Sequence, residues 1–281
     1  MSADSSEPEN NQSRAGRDLP VAILVGVVLV ALIIASLVFY KALFLVVVSA
    51  AIVLGLWELG RALAHNGTWM PAIPMWLGAV GMIFGSYYGG TDVMVVVFAG
   101  TVLVAVLWRM TRGQEGFVRD VSATVFCLAY LPFLASFVAL LLAPDDGIKR
   151  VITFIAVTVA SDTGGFAVGV VFGRHPMAPA ISPRKSWEGF AGSMVVCTAA
   201  GIVCVVLLLD GDWWVGLVLG SIAAVTATLG DLAESMVKRD VGIKDMSNLL
   251  PGHGGLMDRL DSLLTTLPVV WLVLHFLLPA V

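Results

Sequence analysis

Charge is scarce in this chain. Only 13% of its 281 residues are Asp, Glu, Lys or Arg, while 58% are hydrophobic. A water-soluble domain of this length needs far more charge to cover its surface, so a soluble fold is excluded. Cysteine is scarce too. Cys127, Cys197 and Cys204 all fall inside apolar runs. That excludes a disulfide frame and a metal-ligand spacing, and leaves three small, reduced, buried residues. No G-x-x-x-x-G-K-[ST] run occurs, so phosphate is not held in a Walker loop. No small-residue cleavage site follows a short apolar stretch near the start, and a retained first membrane helix is expected in place of a cleaved signal peptide. The net charge of −4 constrains little, because placement matters more than the sum.

Long apolar segments are what the chain has in abundance. A bilayer core about 30 Å thick needs about 20 apolar residues in helix. Nine stretches meet or approach this: Leu19–Phe39, Ala42–Leu59, Ala72–Tyr88, Val93–Trp108, Val121–Leu142, Val151–Phe172, Trp187–Leu209, Trp213–Val237 and Leu260–Leu278. The third and fourth are the shortest and are compatible with one re-entrant pair. The expected architecture is an all-α integral membrane bundle of about nine helices. Residues 1–18, rich in Ser, Glu and Asn, form an expected disordered tail. Residues 19–115 form an N-terminal set of membrane helices. Residues 116–281 form a second, chemistry-bearing set with polar loops at 173–187 and 236–260.

Lys and Arg set the orientation. Of the 16 cations, all but Lys41, Lys149 and Arg150 lie in the tail or in loops on its side. The N-terminus and both long polar loops are therefore expected in the cytoplasm, with the C-terminus outside. Trp57, Trp69, Trp108, Trp187, Trp213 and Trp214 sit near helix ends, as an interfacial aromatic belt would. Gly81, Gly85 and Gly89, and again Gly165, Gly169 and Gly173, recur every fourth residue and mark faces for close helix packing.

Against this apolar background, a few acids stand out. Asp162 lies within a membrane-length run, where a carboxylate costs about 2.5–3.5 kcal/mol at the helix centre. It must face protein or a wet cavity, and a structural hydrogen bond to Ser or Thr is its plainest use. Thr228, Asp231, Glu234, Ser235 and Lys238 share one stripe of the eighth segment. A snorkelling helix end accounts for Lys238 and for Glu234, but not for the deeper, shorter Asp231. Asp258, Asp261, Ser262 and Thr265 repeat the pattern where the ninth segment begins. Two aspartates three residues apart repel each other unless a cation sits by them. Together with Asp231 they would make an all-oxygen site suited to Mg²⁺ rather than zinc, although Asp258 also suits a helix N-terminus.

Between Ser235 and Asp261 the chain concentrates Lys238, Arg239, Lys244 and Arg259, all able to neutralise phosphates. Its Pro251-Gly252-His253-Gly254-Gly255 run has the glycines for an anion-binding nest. His253 suits a positioning contact to phosphate, or simple solvation. The other loop brings Ser182, Arg184, Lys185 and Ser186 to a helix start, where phosphate binds readily and where Ser186 is also an ordinary N-cap.

Ser235-x-Val237-Lys238-Arg239, Lys244-Asp245-x-Ser247 and Leu250-Pro251-x-His253-Gly254-Gly255-Leu256-x-Asp258-Arg259-Leu260-Asp261 together resemble the signature of the phosphatidate cytidylyltransferases, or CDP-diacylglycerol synthases. Ser161-Asp162-Thr163-Gly164-Gly165 with Gly173-Arg174, the Ser182–Gly189 run and Gly230-Asp231 also resemble motifs of that family. The likeness covers roughly the C-terminal half; before residue 116 only Glu58 and Arg61 match. It implies an integral enzyme of the inner, cytoplasmic membrane, homodimeric, converting CTP and phosphatidic acid to CDP-diacylglycerol and pyrophosphate, with membrane lipid and no nucleic acid among its partners. It further implies Mg²⁺, with a second cation such as K⁺. Asp231 and Asp258 would be the metal ligands with Asp261 close by, and Lys244 is grouped with these three as catalytic. Ser182, Arg184, Lys185, Ser235, Lys238, Arg239, His253, Gly254, Gly255 and Arg259 would contact substrate, and Asp162 and Glu234 are further candidates. Two other readings stay open on the residues alone. A cation-coupled transporter also uses intramembrane acids, but no internal sequence symmetry supports it. A CTP-dependent polyprenol kinase would move phosphate rather than a nucleotide.

Overall fold

The computed structural model describes residues 12–247, 249 and 254–278, with side chains from residue 24 onward. The element order is α1 (Gln12–Phe39), α2 (Lys41–Ala64), α3 (Ala72–Met110), α4 (Phe117–Leu128), α5 (Leu134–Leu142), α6 (Gly147–Phe172), a β-ribbon of β1 (Pro176–Ala178) and β2 (Ser182–Ser186), then α7 (Trp187–Leu208), α8 (Trp213–Val241) and α9 (Met257–Leu277). Lipid offers no partner for backbone N–H and C=O groups, so helices are the form such apolar runs must take. Among the described residues seven helical stretches are long and apolar enough to cross a membrane. The protein is a multi-pass membrane bundle. Helix α1 begins at Gln12, within the tail expected to be disordered; residues 1–11 of that tail lie outside the described residues.

Two of the seven stretches depart from simple rods. Helix α3 has 39 residues, about 58 Å at 1.5 Å each, too long for one crossing. It breaks at Gly90, whose φ of 69° and ψ of −160° belong to a region essentially reserved for glycine. The two halves fold back on one another. A Cβ on Gly78 would collide with Thr101, and one on Gly81 would lie 3.2 Å from Val97. The third and fourth apolar stretches are thus one hairpin, and the Gly81/Gly85/Gly89 row is its inner face. The stretch Phe117–Leu142 is continuous but carries a π-helical turn at Ala129–Phe133. Pro132 cannot donate a hydrogen bond there, and the turn widens around it instead of breaking.

Helices α6 to α9 pack most closely. Ser193 Oγ donates to Ser161 O at 2.7 Å and Cys197 Sγ to Val157 O at 3.1 Å, joining α7 to α6. Glycines remove the side-chain bulk between them: a Cβ on Gly169 would already touch Gly189 Cα at 3.6 Å, and one on Gly220 would strike the backbone of α7. The three cysteines are free and buried. At one end Arg150 donates to both Asp146 oxygens at 2.8 Å and to the carbonyls of Leu274 and Leu278, tying the start of α6 to the end of α9. At the other end Ser247, Leu256 and Met257 meet Glu58 of α2. One feature departs from an all-helical chain. Pro176, Pro179 and Pro183 bar helix between α6 and α7, and this loop pairs into the short antiparallel ribbon before Ser186 caps α7 through Gly189 N at 3.1 Å.

The Gly90 geometry predicts a contrast. Gly90→Ala, with nothing near its Cβ, carries only backbone strain and is expected to lower stability by about 1–3 kcal/mol. Gly100→Ala, equally open but helical, is expected to be neutral or mildly stabilising. Thermal midpoints of both variants in detergent check this; equal midpoints would contradict the strained turn.

Candidate active site

Where α8 crosses α9, a Cβ on Gly230 would collide with Thr265 and with the main chain of Asp261. The absence of that atom lets the two polar stripes face each other. Asp231 of α8 and Asp261 of α9 lie within hydrogen-bonding reach of one another, and Lys185 of β2 forms an ion pair with Asp231. Lys185 Nζ also reaches Thr228 O at 3.4 Å. Asp162 joins from α6, its Oδ2 accepting from Ser262 Oγ at 3.2 Å. The plain structural bond foreseen for Asp162 is therefore made, at the wall of a cavity. That cavity holds about 400 Å³, and Asp162, Asp231, Asp258, Asp261, Lys185 and Arg259 are among its lining residues. Arg184 lines it too.

Asp258 departs from its expected place. Its Oδ1 accepts from Lys238 Nζ at 2.8 Å, and its Oδ2 accepts from the backbone N–H groups of Met246 at 3.1 Å and Gly255 at 2.9 Å. Lys238 also bridges to Glu234 Oε2 at 2.8 Å. The trio of Asp231, Asp258 and Asp261 therefore does not close on one point. Nor, among the described residues, does any other group of three Asp, Glu, His or Cys side chains. The physical reason is local: Lys238, one helical turn past the buried Glu234, draws in the Asp258 carboxylate. The glycine turn, with Gly254 at φ 81°, does fold N–H groups toward an anion, but that anion is the chain's own Asp258 carboxylate.

The remaining expected contacts divide. Lys185, Arg184 and Arg259 reach the cavity. Ser182 pairs opposite Ala178 at the far end of the ribbon. Ser235 is half-buried on α8, off the cavity wall. Arg239 is exposed and contacts Ile181 O at 3.4 Å. Lys244 is exposed, away from this cavity. His253 lies outside the described residues.

Two residues were not assigned a role from sequence. Glu58, in α2, is 1% exposed. It accepts from Ser247 Oγ, from Leu256 N at 3.0 Å and from Met257 N at 2.8 Å. It thus caps α9 from another helix and pins the loop that carries Gly254 and Gly255. Its adjacency to Arg61 in the motif match was the only hint. Tyr130, on the π-helical turn, has a buried hydroxyl that makes no hydrogen bond among the described residues, as does Glu234 Oε1.

The donor set suits Mg²⁺. Two apposed carboxylates border a cavity with room for water and phosphate oxygens, and that ion takes one or two carboxylates with the rest of its shell from such ligands.

The Glu58 cap predicts that Glu58→Ala removes hydrogen-exchange protection at the Leu256 and Met257 amides, leaving α6 and α7 protected. Glu58→Gln retains part of it through its amide oxygen. Unchanged protection in the alanine variant would contradict the cap.

A sequence profile described as the cytidylyltransferase family matches residues 20–277. A phosphatidate cytidylyltransferase of Mycobacterium leprae is 44% identical over 95% of this chain and 91% of its own length. One from Mycobacterium bovis is 43% identical over 96% of this chain and 93% of its own. A chloroplastic phosphatidate cytidylyltransferase of Arabidopsis thaliana is 36% identical over 64% of this chain and 51% of its own length. The agreement spans both helical sets, not merely the charged loops, and the chain belongs to the cytidylyltransferase family.

Proposed function

We propose that this chain is a phosphatidate cytidylyltransferase: it transfers CMP from CTP to phosphatidic acid, giving CDP-diacylglycerol and pyrophosphate. One observation carries the reading. An acid pair, Asp231 and Asp261, sits with Lys185, Arg184 and Arg259 in a single cavity at the loop end of a membrane bundle. That is the charge pattern of a polyphosphate bound with a cation.

The phosphate monoester of phosphatidic acid is the nucleophile. Its second pKa is about 6, so it is largely ionised near neutral pH and needs no general base. Its oxygen attacks the α-phosphorus of CTP, the α–β P–O bond breaks, and pyrophosphate departs with the electron pair. Lys185 and Arg259 neutralise the triphosphate and the charge that grows on the leaving group. Asp231 holds the Lys185 ammonium in place by their ion pair. Asp231 and Asp261 are the residues that would hold Mg²⁺. Bound there, Mg²⁺ would supply electrostatic stabilisation of phosphate charge. Asp258 acts through position, fixing Lys238 and the Met246 and Gly255 amides.

The reading extends to topology. Nine crossings, a cytoplasmic N-terminus and an external C-terminus follow if both arms of the α3 hairpin and α1 span. The arms, of about 27 and 30 Å, are long enough. A cytoplasmic site then has CTP on its side of the membrane. The homodimer and the second cation implied by the motif likeness remain part of the proposal.

Purified protein in detergent is expected to release pyrophosphate only with CTP, phosphatidic acid and Mg²⁺ together. Release of CDP, or turnover on a polyprenol, would favour the kinase instead. Asp231→Asn and Asp261→Asn are each expected to cut kcat by about 100-fold or more with the folded state retained. A near-normal rate in either would remove the acid pair from the mechanism.

A further inference from the structure

Another cavity, of about 410 Å³, lies between the end of α2 and the stretch that follows α8. Its size falls within the ~300–1,000 Å³ usual for ligand sites. It shares no lining residue with the cavity of the acid pair. One wall is the end of α2, with Trp57, Arg61 and His65; the other is Ile243, Met246 and Leu249.

A helix C-terminus favours a cation, which accounts for the charge of Arg61 but not for its setting. Its guanidinium lies 5.3 Å from the centre of the Trp57 ring, and among the described residues it has no ion-pair partner. His65, one turn on, is exposed as well. The carboxylate on the wall is Glu58, whose oxygens are taken by Ser247, Leu256 and Met257. The cavity thus offers donors to an anion, and its one acid is already answered.

Below Arg61 the outward face of α2 is apolar. Val46, Ala50, Leu54 and Trp57 are exposed at spacings of four, four and three, so they form one stripe of a helix apolar enough to cross the membrane. From Val46 to Trp57 the stripe runs about 16 Å, close to one leaflet of a ~30 Å hydrocarbon core. A basic pocket above a track of acyl length matches a phosphate carried on a lipid.

We propose that this cavity binds the headgroup phosphate of an anionic phospholipid, with Arg61 on the phosphate and an acyl chain along the α2 stripe. Nothing about the site requires the cytidylyl-transfer reading. It does reach the catalytic cavity. Met246, on the wall facing Arg61, donates its N–H to the Asp258 carboxylate, which in turn holds Lys238. A bound headgroup braces that wall against α2 and stabilises the arrangement it binds.

Two measurements on the full chain in nanodiscs test it. The Ile243 and Met246 amides are hydrogen-bonded to Lys238 O and to Asp258. Their hydrogen exchange is expected to slow about tenfold when phosphatidylglycerol replaces part of the phosphatidylcholine. Inorganic phosphate added to pure phosphatidylcholine discs is expected to leave exchange unchanged. Arg61→Glu is expected to abolish the response and Arg61→Lys to keep most of it. Independently of those variants, a photoreactive benzoylphenylalanine at Leu54 is expected to capture phosphatidylglycerol over phosphatidylcholine from discs holding equal amounts. Equal exchange in both kinds of disc, slowing by free phosphate, or a response that survives Arg61→Glu would overturn the lipid site. So would equal capture of the two lipids, or capture of a second copy of the chain.

Discussion

Every charge inside this bundle must be answered by an opposite charge or by hydrogen-bond donors, because lipid and packed helix screen so little. That constraint organises the site. Asp231 and Lys185 answer one another across α8 and β2; Glu234, Lys238 and Asp258 do so across α8 and α9. In the more deeply buried Glu234–Lys238–Asp258 network, removing one member typically costs about 3–5 kcal/mol, since its partner is left uncompensated. The two networks therefore fix which helices can be neighbours. They also fix the β-ribbon, which would otherwise be a short polar loop of no defined pose. Asp261 is set against the Asp231 carboxylate and not against a lysine, and there the bundle has room for something cationic from outside.

Much of this was legible in the sequence. Asp231 stood out because a short acidic side chain deep in an apolar run has no cheap alternative, and Asp261 because it lies three residues from Asp258 on one helical face. The nine apolar stretches matched the helical segments, including the pair that Gly90 turns into a hairpin. What could not be read was partnership across helices. Spacing shows that Asp258 and Asp261 share a face of α9, but not that Lys238, twenty residues earlier, would claim one and leave the other. The Gly254-Gly255 turn likewise has anion-binding chemistry whether its anion is a substrate or the next carboxylate along. The proline-rich loop carries no strand-like alternation, so its ribbon emerges only once α6 and α7 are set side by side.

Lys244 illustrates a further limit. A cation within a dense motif invites a catalytic role, yet on the folded chain it is exposed and away from the cavity. Clustering along the chain is not clustering in space. Glu58 is the converse: nearly two hundred residues from the helix it caps, it looks like one more acid at a membrane boundary.

That reach across the chain has an evolutionary corollary. The loop near residue 113 looks like a seam between an anchor and a catalyst, and everything after it contains the acids, the ribbon and the basic residues. Yet the amides that begin α9 are closed by a carboxylate from before the seam. Gene duplication or domain shuffling that separated the two parts would strand the ninth helix without its cap.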